Sequence, residues 1–132
     1  MSFTVEYLDA EDLLELARRF LGDTPPVRDL GLLGAAAARP QASAFGEDAY
    51  PDIWSKAGAL LHSIVSNHPL IDGNKRLGWL ATAVFLELNE ASVSSAANDD
   101  VYDLVVAVAT GALSVDHIAE ALQLMHEQAP DS

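Results

Sequence analysis

The sequence has 132 residues, a length that suits one domain spanning 1–132. Hydrophobic residues are 50% and charged residues 20% of it, which excludes wholesale disorder, and the absence of cysteine excludes disulfide frameworks, zinc–thiolate sites and thiol nucleophiles. Seven Lys+Arg against 20 Asp+Glu give a net charge of −13, so direct binding to nucleic acid or to an anionic membrane surface is not expected.

In chain order, the start from Met1 to Tyr7 lacks the basic and apolar regions of a signal peptide, and no segment has membrane-spanning length. A cytoplasmic protein is expected. From Asp9, a capping residue, Leu13, Leu16, Ala17 and Phe20 recur at helical spacing until Gly22 and Pro25–Pro26. Asp29 caps a second, short helix that Arg39–Pro40 stops. Residues 41–51 read as an exposed loop or small hairpin. Ile53, Ala57, Leu60, Leu61 and Ile64 form one helical stripe, and Leu77, Leu80, Ala81, Val84, Phe85 and Leu88 form the next. Asn89 is expected as a left-handed terminator. Asp99 or Asp100 caps a helix that buries Val101, Leu104, Val105 and Val108. Ser114 caps the last, which buries Ile118, Leu122 and Met125. The fold class is all-α.

Between the two longest stripes lies His68-Pro69-Leu70-Ile71-Asp72-Gly73-Asn74-Lys75-Arg76. A helix N-terminus offers unpaired N–H groups and partial positive charge to an anion. Gly73 allows close backbone approach, and Lys75 and Arg76 add two full charges where they oppose the helix dipole. The chain has only two lysines, and one is here. This placement points to an anionic ligand such as a nucleotide phosphate. Asp72 is placed to hold magnesium on phosphate oxygens, and His68 has the pKa range of a general base. Taken singly, each residue has a plainer reading: a surface histidine, an Asp-Gly turn, an Asn cap, a solvated cation pair. The set together describes group transfer from a nucleoside triphosphate to a hydroxyl.

This run resembles the signature of the Fic/Doc family, His-Pro-Phe-x-Asp/Glu-Gly-Asn-(Gly or Lys)-Arg. Lys75 makes it similar to the Doc branch, the death-on-curing toxins of bacterial toxin–antitoxin pairs. Val27 to Leu33, Ala38 to Gln41, Lys56 to Leu61 and Ala109 to Ser114 resemble flanking segments of that family in order and spacing. The resemblance implies a compact helical bundle with a short flap near residues 42–50 that docks the target. It implies transfer of the γ-phosphate of ATP, with magnesium, to a hydroxyl of a target protein, the type's target being a threonine of elongation factor Tu. His68 would be the base and Asp72 the metal ligand. Gly73 and Asn74 would build the anion hole, and Lys75 and Arg76 would bind phosphates. A trans-acting antitoxin is the implied partner, since the family's inhibitory pattern Ser/Thr-x-x-x-Glu-Gly/Asn has only near misses here, at Ser43–Asp48 and Ser2–Tyr7.

Two rival readings accompany this one. The first is transfer of AMP or another nucleotidyl group, as in Fic-type proteins that carry glycine where Lys75 stands. The second is a catalytically silent binding module of the same fold. The sequence departs from the pattern at Leu70, in place of the usual phenylalanine, and at Leu77-Gly78-Trp79. Trp79 is expected in the core rather than stacked near the site. His62 is expected to be structural or solvated. His117 and His126 are expected on the surface. Lys56 is expected to be solvated or to reach a phosphate, and Arg28 to support the site or contact the target.

Overall fold

The computed structural model describes residues 4–25 and 27–128. Six helices follow in chain order: α1 (Ala10–Leu21), α2 (Leu30–Ala38), α3 (Ile53–Asn67), α4 (Asn74–Leu88), α5 (Asn98–Ala109) and α6 (Val115–Glu127). Between α2 and α3 lie a 3₁₀ turn, Arg39–Gln41, and a minimal hairpin of β1 (Ser43–Ala44) and β2 (Glu47–Asp48). The protein is all-α with one flap, as the residue pattern predicts. No helix among the described residues is long and apolar enough to cross a membrane.

Local signals explain most of the boundaries. Asp9 and Asp12 form a reciprocal capping box at α1. The Asp29 side chain caps α2 by accepting from the Leu32 N–H, and Ser114 caps α6 by accepting from the His117 N–H. The hairpin pairs Ser43 with Asp48 and Ala44 with Glu47. Its two turn residues, Phe45 and Gly46, both have positive φ (55° and 80°), the tight turn that matches strand twist.

Helix α3 is the axis of the molecule. Nearly every residue from Ser55 to Val65 is buried, because α2, α4, α5, α6 and the 3₁₀ turn all pack around it. Gly78 makes the α3–α4 contact possible: a Cβ there would lie 2.7 Å from Val65 Cγ2 and 3.2 Å from Leu61 Cδ1. This gives a physical reason for Gly78 after the site loop. A helical glycine costs roughly 1 kcal/mol against alanine, and close packing offsets it here. Leu70 is buried in the core at 1% exposure, so it does reach the anchoring position of the larger phenylalanine.

Several expectations are corrected. Asn89 is not left-handed (φ −106°, ψ 21°); Glu90 takes the positive φ of 60° instead. The Asn89 amide is buried, donates to the carbonyls of Phe85 and Glu6, and accepts from the Glu6 N–H, pinning the chain start to the end of α4. Phe20 and Leu88 lie on the surface at 46% and 49% exposure. Helix α1 buries Leu13 and Ala17 and turns Leu21, not Phe20, toward Gly73. Helix α5 begins at Asn98 with Ala97 as an uncapped N-cap, and Asp99 and Asp100 occupy its first turn, where the helix dipole favours them. His126 is not a surface residue. Its Nδ1 lies 2.7 Å from the Ser92 carbonyl oxygen, and its ring packs on Trp54.

Candidate active site

The loop between α3 and α4 is held through its backbone groups, which bond both to side chains and to the backbone of a neighbouring segment. His68 ends α3 in a left-handed conformation (φ 53°, ψ 62°). Arg28 donates from Nε to the His68 carbonyl at 2.7 Å and from Nη2 to the Asn67 carbonyl at 2.8 Å. A cation thus satisfies the orphan carbonyls at a helix C-terminus, where the dipole favours it. The N–H groups of Arg28 and Asp29 both donate to the Pro69 carbonyl, and Val27 forms an antiparallel bridge with Leu70. Arg28 is therefore a positioning residue for His68.

Asn74 closes the loop from the other side. Its Oδ1 accepts from the Leu70 N–H and its Nδ2 donates to the Leu70 carbonyl, both at 2.9 Å. These two bonds fix which way the amide points, with Nδ2 facing His68 Nδ1 at 3.4 Å. That contact is too long to lock the imidazole. The Asn74 side chain is thus committed to shaping the loop, and what it offers an anion is its backbone N–H.

Gly73 precedes α4 with φ 87°, a conformation that favours glycine, and a Cβ there would sit 2.9 Å from Leu21 Cδ1. No side chain caps α4, unlike α1, α2, α3 and α6. The Gly73 N–H is taken by Asp72 Oδ1 at 2.9 Å, and the first intrahelical bond of α4 runs from Leu77 to Gly73. The N–H groups of Asn74, Lys75 and Arg76 are left for a ligand or water. Neither Lys75 nor Arg76 forms an ion pair among the described residues.

All six expected site residues, His68, Asp72, Gly73, Asn74, Lys75 and Arg76, line one cavity of about 330 Å³, together with Ile71 and with Ala109 at the end of α5. Asp72 is the sole carboxylate of that lining, and no described cluster of three or more His, Cys, Asp or Glu exists. A lone carboxylate fits magnesium, which is commonly held by one or two carboxylates plus substrate phosphates rather than by a protein cage. Asp72 pairs with neither Lys75 nor Arg76, so its second oxygen remains free for a cation.

Residues 7–86 match the family described as Fic/DOC. The chain belongs to the Fic/DOC family. It is 50% identical over 120 residues to a protein named Toxin Doc from Mycolicibacterium smegmatis, covering 89% of this chain and 91% of that relative. The family match runs from before α1 to Leu86 near the end of α4 and so includes the whole His68–Arg76 segment.

The flap of this Fic/DOC domain is fastened to α3 by two cations that sequence reasoning undervalued. Lys56 is neither solvated nor near the cavity. It is 2% exposed and donates to the Tyr50 carbonyl, to the Pro40 carbonyl at 3.5 Å and to Asp48 Oδ2 at 3.4 Å. It also lies over the Tyr7 ring, 5.8 Å from the centroid. Arg39 donates from Nε to the Tyr50 hydroxyl at 3.0 Å and from Nη1 to Ser63 Oγ at 3.1 Å, and meets His62 Nδ1 at 2.8 Å. Burial, and then the Arg39 charge, hold the His62 pKa below its ordinary value, so His62 accepts from Arg39 as a neutral ring. His62 is structural, as its position off the main stripe suggests. The only signal in the sequence for this anchor was the scarcity of lysine.

Proposed function

We propose that this chain is a Doc-type toxin that transfers the γ-phosphate of ATP to a serine or threonine hydroxyl of a target protein. The observation that carries the reading is one cavity lined by a histidine, a carboxylate, helix N–H groups without an intrahelical partner, and two cations with no ion pair among the described residues. The name of the 50% identical relative supports the toxin assignment.

In this reading, His68 accepts the proton of the target hydroxyl as its oxygen bonds to the γ-phosphorus. The bond from that phosphorus to the β–γ bridging oxygen breaks, and ADP leaves with the electron pair. The N–H groups at the start of α4, with Lys75 and Arg76, meet the negative charge on the phosphate oxygens, the usual main contribution to phosphoryl transfer. Asp72 is the residue that would hold magnesium, whose chemistry is charge neutralisation across phosphate oxygens. Arg28 and Asn74 keep the loop in place. The flap presents Phe45, fully exposed at a strained positive φ, as the contact for the protein target. The family resemblance puts elongation factor Tu first among targets to examine, which suits a cytoplasmic toxin that blocks translation and is restrained by an antitoxin in trans.

Lys75 favours phosphotransfer over AMP transfer, because a charged side chain stands where Fic-type proteins have glycine. Incubation with γ-labelled and α-labelled ATP tests this directly. Label from the γ position on the target is expected. Label from the α position would establish nucleotidyl transfer in its place. In a growth assay, the parent is expected to arrest cells and His68→Ala to spare them; arrest by His68→Ala would support the silent binding module.

A further inference from the structure

We infer that Ile71 selects among protein targets: its side chain packs on an apolar residue directly beside the acceptor serine or threonine. The inference rests on the phosphotransfer reading above and names the class of acceptor segment that the same cavity takes.

Leu70 and Ile71 are consecutive and meet opposite environments. Leu70 forms the antiparallel bridge with Val27 and is 1% exposed, whereas Ile71 is 71% exposed. Successive side chains of an extended segment point to opposite sides, so anchoring Leu70 in the core turns Ile71 outward. Ile71 belongs neither to the core nor to the apolar side chains packed against it. The backbone that carries it is nonetheless fixed. The Pro69 carbonyl accepts from the N–H groups of Arg28 and Asp29, and the Leu70 N–H and carbonyl are both bonded to the Asn74 amide. On the far side, Asp72 accepts from the Gly73 N–H. An aliphatic side chain held out by a fixed backbone offers contact area at little ordering cost on binding.

Its position decides what it can meet. Ile71 lines the catalytic cavity with His68 and Asp72, and Ala109 is the one other apolar side chain of that lining. Phosphate oxygens are met elsewhere in the cavity, at the start of α4, by N–H groups and by Lys75 and Arg76. Phosphates and hydrated magnesium gain nothing from an aliphatic surface. The acceptor segment does. Its hydroxyl must come within hydrogen-bond reach of His68, three residues before Ile71, and this brings the residues on either side of the hydroxyl over the loop. A charged residue pressed onto Ile71 would lose water without gaining a partner, whereas an apolar one gains by burial. An acceptor with an apolar neighbour is therefore favoured over one flanked by charges.

The probe is the protein that takes label from γ-labelled ATP, with the labelled residue mapped by fragment masses. An apolar residue is expected directly before or after that hydroxyl. Ile71→Ala should raise the KM for this protein about tenfold, the scale of losing an aliphatic contact, with kcat and ATP affinity kept within about twofold. Ile71→Leu should retain the parent KM. Replacing the apolar neighbour in the target by lysine should raise the KM of the parent, and raise that of Ile71→Asp much less, because the new carboxylate meets the new charge. Ile71 is exposed, so these variants should fold, which a melting curve checks. Labelled hydroxyls flanked on both sides by polar residues would overturn the inference. So would an unchanged KM in Ile71→Ala, or a loss of ATP affinity in that variant, which would assign the side chain to the nucleotide. Failure of the parent to label any protein would instead remove the transfer reading beneath it.

Discussion

Helix α3 carries a loop at each end, and the two use their own cations differently. At its C-terminus, the His68–Arg76 segment is held by backbone groups, the neutral Asn74 amide and the Arg28 guanidinium, while its own two cations form no ion pair among the described residues. At its N-terminal side, the flap is held by cations, with its backbone tip left free. Lys56 and Arg39 are consumed in fastening residues 40–50 to the core, whereas Lys75 and Arg76 have no described carboxylate partner. The same residue types are therefore bound into the structure in one place and left open to an anion in the other. Burial separates the two uses, since Lys56 is 2% exposed and Lys75 and Arg76 lie on the surface. A charge enclosed among carbonyls is committed to them, and one at a helix N-terminus beside a cavity remains available to an anion.

This contrast breaks most sharply at His68. His68→Ala should lower phosphotransfer at least ~100-fold, the lower end for loss of a general acid–base group. Its thermal midpoint should stay near that of the parent, because the side chain is exposed and its one contact is long. A single-turnover assay alongside a melting curve checks both.

Asn74→Ala should be costly in stability as well. It strands the buried N–H and carbonyl of Leu70, and about 2 kcal/mol is expected from the loss of such paired bonds. Urea unfolding measures the loss, and unchanged stability would mean that the Arg28 and Val27 contacts hold the loop alone.

At the other end, Lys56→Met keeps the stem and removes the charge. Asp48 is mostly exposed and stays solvated, but the Tyr50 and Pro40 carbonyls lose their buried donor, so a stability loss of about 1–2 kcal/mol is expected. The KM for the protein target should rise several-fold while ATP affinity stays unchanged. A loss of ATP affinity would show that the two ends of α3 are not independent.

The smallest effect concerns His62. Its pKa is lowered in the folded protein, so the unfolded chain takes up a proton first as pH falls below the ordinary value of 6.5. This contribution to stability is complete above that pH and is lost progressively below it. Melting temperatures at pH 7.5 and 5.5 should differ more for the parent than for His62→Gln, which removes the titrating group.

The chain order of helices and the segment that forms the candidate site were legible because both are local. Asp9, Asp29 and Ser114 announce helix starts through their own side chains, and all six expected residues fall on one continuous segment, from His68 at the end of α3 to Arg76 in the first turn of α4. The net charge of −13 reads at first as an argument against phosphate ligands, and the same sequence locates the exception at Lys75 and Arg76. What only the tertiary structure decided were roles set by distant partners. Lys56 became a flap anchor because Pro40 and Tyr50 bring carbonyls to it. Asn89 became a clasp because Glu6 returns to its amide. Gly78 was required because Val65 leaves no room for a Cβ, and Trp79 acquired a cavity because α5 packs beside α4. A residue's spacing along the chain gives its face on a helix; what that face meets depends on elements far away in the sequence, and charge, burial and hydrogen bonding are settled only at that meeting.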